Sequence, residues 1–121
     1  MSQRTGPTNP NLVNLIHQLK KLSKESKVSL WKAIALELEK PTRSRREVNL
    51  FHIDKHCNNN EMVLVPGKVL GYGDLTKKLK IAAFRFSTQA LEKINKSGSK
   101  SLTIPELMKE NPQGKSIRII G

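Results

Sequence analysis

Acids, cysteines and aromatics are all scarce in this 121-residue chain, and each shortage excludes something. Ten Asp and Glu face 22 Lys and Arg, leaving a net charge of +12 and a pI near 10.2. A small domain is soluble at a charge magnitude of about 2–8, so an excess this large opposes compaction by self-repulsion and implies a polyanionic partner. One cysteine, Cys57, rules out an internal disulfide. No apolar run approaches the ~20 residues of a membrane-spanning helix, and the opening MSQRTGPTNP lacks the apolar core of a secretory signal, so the expected location is cytoplasmic. With aromatics at 4%, a single-strand reader built on rows of stacking rings is disfavoured.

The charge belongs to the body of the chain. Residues 1–60 and 61–121 each hold 11 cations and 5 acids, a surplus of +6 in either half. One domain over 9–121 is expected, preceded by a flexible basic arm over 1–8 that carries Arg4. A chain of this length can bury roughly two thirds of its unfolded surface, enough for a true core.

Asn9 and Pro10 read as the cap and first residue of a helix whose inner stripe is Leu12, Leu15, Ile16, Leu19 and Leu22, with Lys20, Lys21, Lys24 and Lys27 outside it. Ser29 is expected to cap a second helix bearing Leu30, Trp31, Ile34, Ala35 and Leu38, which Pro41 ends. Asn49 is the expected cap of a short helix with Leu50, Ile53 and Cys57 inward.

The next segment, MVLVPGKVL at 62–70, reads as two β-branched runs around a Pro-Gly type II turn, and LKIAAFRFS at 79–87 as a strand with Phe84 and Phe86 on one side and Arg85 on the other. Ser87 opens a helix with Ala90, Leu91 and Ile94 inward and Gly98 at its end. Thr103 and Glu106 have capping-box spacing, and SIRII at 116–120 closes the chain as a strand. Helices first and mixed short elements afterwards give the class α/β, or mixed α+β.

Few groups suit catalysis. His52 and His56 lie one helical turn apart beside Cys57, but tetrahedral zinc wants four ligands and only His17 remains. Adjacent helix positions such as His56 and Cys57 point about a third of a turn apart, which suits a nucleophile pair badly. Gly67, Gly71 and Gly73 match neither a dinucleotide fingerprint nor a phosphate loop, so turn and close-approach roles are expected. No cofactor, small-molecule substrate or enzymatic activity is expected.

The tract KPTRSRR at 40–46 is different: four cations without an acid, held by a proline, with arginine forks that suit phosphate oxygens. No major-groove reading helix, paired zinc finger or zipper is present, so folded RNA is favoured over DNA. The expected contact residues are Arg4 on the arm, Lys20, Lys21 and Lys24 on the first helix, Lys40, Arg43, Arg45 and Arg46 in the tract, Lys68 at the Pro-Gly turn, and Lys77, Lys78, Arg85, Lys115 and Arg118 beyond it. A basic DNA-packing protein is the alternative.

Several stretches together resemble one family: TNPNLVNLI at 8–16, ELEKPTRSRREVNL at 37–50, VLVPGKVLGYGDL at 63–75, KIAAFRFS at 80–87 and ENPQGKSIRII at 110–120. They are similar to the large-subunit ribosomal protein family usually called eighteen-e, in its short archaeal form. The resemblance implies a structural protein of the large ribosomal subunit that binds large-subunit ribosomal RNA and meets neighbouring large-subunit proteins. It also implies a fold shared with the carboxyl-terminal part of the bacterial fifteen family: irregular β-β-α units behind the two leading helices. The family's basic segment falls on residues 40–46, its Pro-Gly-Lys on Pro66, Gly67 and Lys68, and its closing Asn-Pro-x-Gly on Asn111, Pro112 and Gly114.

Overall fold

The computed structural model describes residues 10–40 and 46–120, and of Arg46 the backbone alone. The expected arm over 1–8, the Asn9 cap, Pro41, Arg43 and Arg45 lie outside the described residues. Helix α1 (Pro10–Ser26) buries Leu12, Leu15, Ile16 and Leu19 at the spacing of its apolar stripe. A two-residue link reverses the chain into α2 (Ser29–Leu38): Lys27 takes φ +60°, and the Ser23 hydroxyl donates to the Val28 carbonyl at 2.7 Å. Trp31, Ile34, Ala35 and Leu38 of α2 are buried.

Then follow β1 (Arg46–Asn49), α3 (Leu50–His56), β2 (Met62–Leu70), β3 (Lys80–Phe86), α4 (Thr88–Lys96), β4 (Lys100–Thr103), α5 (Ile104–Glu110) and β5 (Ile117–Ile119). Every strand pairing is parallel. β3 lies between β2 and β4, while the opposite edge of β2 is shared: β5 pairs with its amino half at Met62–Leu64 and β1 with its carboxyl half at Gly67–Leu70.

A parallel sheet is covered on both faces, so its central strands β2 and β3 are buried in continuous runs, 63–67 and 81–83, rather than in alternation. Val63, Val65, Val69, Ile81 and Ala83 pack with Leu50, Ile53 and Cys57 of the α3 segment and Ala90 and Ile94 of α4. Leu64 and Ala82 point the other way, into α1, α2 and the Ile104 and Leu107 of α5. The result is helices on both sides of one sheet, the α/β class, with the two leading helices in place.

Local signals hold at α4 and α5. Ser87 Oγ accepts from the Ala90 N–H, and Gly98 at φ +81° closes a Schellman pair in which Ser99 N–H donates to the Ile94 carbonyl and Gly98 N–H to that of Asn95. Thr103 and Glu106 make the full reciprocal capping box.

Four expectations are corrected. Pro66-Gly67 is no turn: Gly67 does not take the positive φ that a type II turn needs, and β2 runs through the pair with a register shift between Val65 and Lys68. That irregularity accommodates a proline, which has no N–H to give a ladder. Phe84 and Phe86 are on opposite sides, each against a different core cluster. Ser29 is no cap: it is already helical and Val28 precedes it, whereas Asn49 does hold the cap position of α3, without a side-chain hydrogen bond. Leu91 faces solvent, 39% exposed.

Candidate nucleic-acid interface

The expected cations fall at three places. The first is the tip formed by α1 and the end of α2. Because the leucine stripe turns inward, Lys20, Lys21 and Lys24 project outward. Lys20 Nζ is 2.6 Å from Glu39 Oε2, and Lys40 Nζ is 3.1 Å from Glu37 Oε2. Lys21 and Lys24 make no ion pair among the described residues. Val13, Ile16, His17, Lys20 and Glu39 line a shallow groove of about 220 Å³ here. Tract 40–46 leaves from this tip and enters the sheet at Arg46, which pairs with Gly67.

The second place is the carboxyl end of the sheet. Glu47, Lys68 and Arg85 stand side by side on β1, β2 and β3. The next row, Val48, Val69 and Phe86, packs into the α3/α4 core, so alternation turns Glu47 and Lys68 away from it. Arg85 is exposed, its Cζ 5.4 Å from the Phe84 ring centroid, a cation–π contact that holds the guanidinium in place. Gly67 and Gly71 are buried, so they offer no open backbone N–H groups for a phosphate beside Lys68.

The loop after β2 is pinned by Lys93, which was not among the expected contact residues. Lys93 Nζ donates to the carbonyls of Gly71 at 2.8 Å and Gly73 at 2.7 Å, with Asp74 at 3.9 Å. That role was hidden because 20 and 22 residues separate the partners.

The third place surrounds the amino end of the sheet, where the expected residues do not all face outward. Lys77 Nζ donates to the carbonyls of Asp54 and Cys57, the latter at 2.6 Å, which satisfies the carboxyl end of α3. Arg118 makes a forked pair with Glu61, Nε and Nη2 each 3.1 Å from a carboxylate oxygen. Those hydrogen bonds push the Arg118 guanidinium further up and, with one from the Asn58 N–H, hold the Glu61 carboxyl below its usual range. Lys78 and Lys115 are exposed and use only backbone groups, Lys78 N–H donating to Asn59 Oδ1 and Lys115 N–H to Asn111 Oδ1. The asparagine run at 58–60 thus fastens the start of β2 to Lys78.

His52 and His56 do share a face, with ring centroids 4.5 Å apart, and both are exposed. Cys57 turns away into the core at 1% exposure, where burial pushes its thiol pKa up, away from thiolate chemistry. No third His, Cys, Asp or Glu joins a metal-sized group among the described residues.

Sequence reasoning missed one surface pair altogether. Phe51 and Tyr72 are 54% and 70% exposed and meet edge to face, centroids 6.5 Å apart. In a chain with five aromatics, two that stay outside and touch form a signal, but only the fold brings them together.

A two-sided α/β body with cations at separate points of its surface suits a structural component of a ribonucleoprotein. The family model that describes the ribosomal proteins 50S-L15 and 50S-L18e, together with their 60S counterpart, matches residues 12–101, from α1 into β4. The chain is 46% identical over 113 residues to large ribosomal subunit protein eL18 of Archaeoglobus fulgidus, covering 93% of this chain and 97% of that protein. It is 43% identical over 120 residues to the eL18 of Methanothermobacter thermautotrophicus, 99% of each. With the eL18 of Methanopyrus kandleri it shares 47% over 121 residues, 96% and 95% of the two. The chain belongs to this ribosomal protein family, and with it to the structural constituents of the ribosome.

Proposed function

We propose that this protein binds folded large-subunit ribosomal RNA and neutralises phosphates that RNA folding brings together. One observation carries the reading: ten acids cannot neutralise 22 cations, and among the described residues Lys21, Lys24, Lys78, Arg85 and Lys115 are exposed on separate elements. The contact residues are Lys21, Lys24, Lys68, Lys78, Arg85 and Lys115, with Arg4, Arg43, Arg45 and Arg46 supplying the segments 1–8 and 40–46. Lys20, Lys40 and Arg118 contribute by exchanging a half-buried carboxylate for phosphate, since pairs near the surface contribute only about 0–1 kcal/mol. Lys77 serves α3 instead. In this reading the protein works in the cytoplasmic ribosome, meets neighbouring large-subunit proteins and is no enzyme; it supplies charge and shape.

Neutralising each phosphate releases counterions, so affinity falls as salt rises. Engagement of about six phosphates gives a plot of log affinity against log salt with a slope of roughly −4 to −5. Measuring binding of the protein to full-length large-subunit rRNA over a salt series tests this, and a slope near zero removes the mechanism. Retention on duplex DNA at near-physiological salt, equal to that on folded rRNA, would favour DNA packing instead.

A further inference from the structure

Of the five aromatic side chains, Trp31 is fully buried and Phe84 and Phe86 pack on the two core clusters. Tyr72, the only tyrosine, is 70% exposed, yet everything beneath it is fixed. It stands between two glycines that have no room for a side chain. A Cβ on Gly71 would come within 2.7–2.9 Å of Gln89 and the Ala90 nitrogen, and one on Gly73, at φ +89°, within 2.4 Å of Phe51 Cβ. Lys93 ties both glycine carbonyls to α4. Phe51 N–H donates to the Tyr72 carbonyl at 3.0 Å, and the Phe51 ring meets the tyrosine ring edge to face. The backbone that carries the ring has thus already lost freedom that binding would otherwise cost.

We propose that Tyr72, supported by Phe51, is a stacking platform for an unpaired nucleobase of the ribosomal RNA; this rests on the RNA-binding reading above. An edge-to-face pair that leaves Tyr72 so exposed keeps a π-face open, and every base has one to lay on it. The charge around the platform suits a nucleotide. Lys55 is one helical turn from Phe51 on α3. Of the acids nearest in sequence, Asp54 accepts from Thr76 N–H and Oγ1–H, while Asp74 is largely exposed, its carboxylate 3.9 Å from Lys93. Stacking explains why a chain poor in aromatics keeps this pair outside and braces the tyrosine's backbone from α3 and α4.

The test compares wild type with Tyr72→Ala, Tyr72→Leu and Tyr72→Phe for binding to full-length large-subunit rRNA of Archaeoglobus fulgidus, with thermal midpoints measured alongside. Ala and Leu should weaken binding roughly 5- to 150-fold, Phe should stay within about twofold, and the salt slope should be unchanged in all, because no phosphate contact is lost. Leu keeps apolar bulk against Phe51, so its weak binding with an intact midpoint separates loss of stacking from loss of fold. Wild-type affinity in the Ala and Leu variants overturns the platform, as does a Phe variant as weak as Ala, which would assign the contact to the hydroxyl. Unchanged RNA affinity with reduced incorporation into particles would assign the surface to a protein neighbour and also overturn it. Failure of the wild type itself to bind the rRNA refutes the RNA-binding reading, a result distinct from all of these.

Discussion

Replacing Lys77 with methionine isolates one ammonium group whose expected and observed roles differ. The side-chain stem is retained, but the carbonyls of Asp54 and Cys57 at the end of α3 lose their donor. A hydrogen bond to a charged group contributes about 1.5–3 kcal/mol, and a cation at a helix carboxyl end about 0.3–1 kcal/mol more. Lys77 is half-buried, water can reach the freed carbonyls, and the two bonds share one group, so we take about 2 kcal/mol for the whole loss. For a chain between small and medium size each kcal/mol moves the midpoint about 4 °C, giving a fall of about 8 °C. The assay is thermal unfolding by circular dichroism beside rRNA binding well below the transition. Lys77→Met should lower the midpoint and keep the salt slope. Lys78→Met, next along the chain and exposed, should keep the midpoint and make the slope shallower by about one. The opposite pattern, an unmoved midpoint for Lys77→Met with a shallower slope, would refute the assignment of Lys77 to α3.

Gly73→Ala should destabilise by about 3 kcal/mol or more, since it combines a left-handed φ with backbone and side-chain overlap at Phe51; urea unfolding measures it. The Glu61–Arg118 pair gives a signed pH dependence. A carboxyl depressed in the folded state contributes stability above its unfolded pKa, and that contribution is lost as pH falls through the folded value. The midpoint difference between wild type and Arg118→Ala should therefore be full at neutral pH and close as acid protonates Glu61. Cys57, buried and with a raised pKa, should react with a thiol reagent only as the domain opens, so its labelling rate should rise with denaturant in step with unfolding. Fast labelling in native buffer would contradict its place in the core.

Signals confined to a few consecutive residues were readable. The stripe at Leu12, Leu15, Ile16 and Leu19, the Thr103 and Glu106 capping box, the Gly98 helix end and the inward face of Leu50, Ile53 and Cys57 all repeat geometry that a helix imposes on its own neighbours. Pro66-Gly67 shows where such reading stops. Taken alone the pair suits a turn, but β2 is held by β3 on one side and by β1 and β5 on the other, and that long-range pairing outweighs a local preference. Phe84 and Phe86 went astray for a related reason: both faces of this sheet are covered, so an apolar residue has no outer side to avoid.

Charge behaves differently from either. The surplus of cations is a property of composition and cannot be undone by any fold, which is why a polyanionic partner could be expected before a single contact was known. Which cation does what depended on distance in space. Lys77 and Lys93 are ordinary lysines until the chain brings carbonyls 20 or more residues away onto their ammonium groups, and Arg118 finds Glu61 across 57 residues. Phe51 and Tyr72 became a pair only when α3 met the loop after β2. A sequence sums charge and repeats its local periods, whereas hydrogen bonds and ring contacts act over a few ångströms and so wait for the tertiary structure to choose their partners.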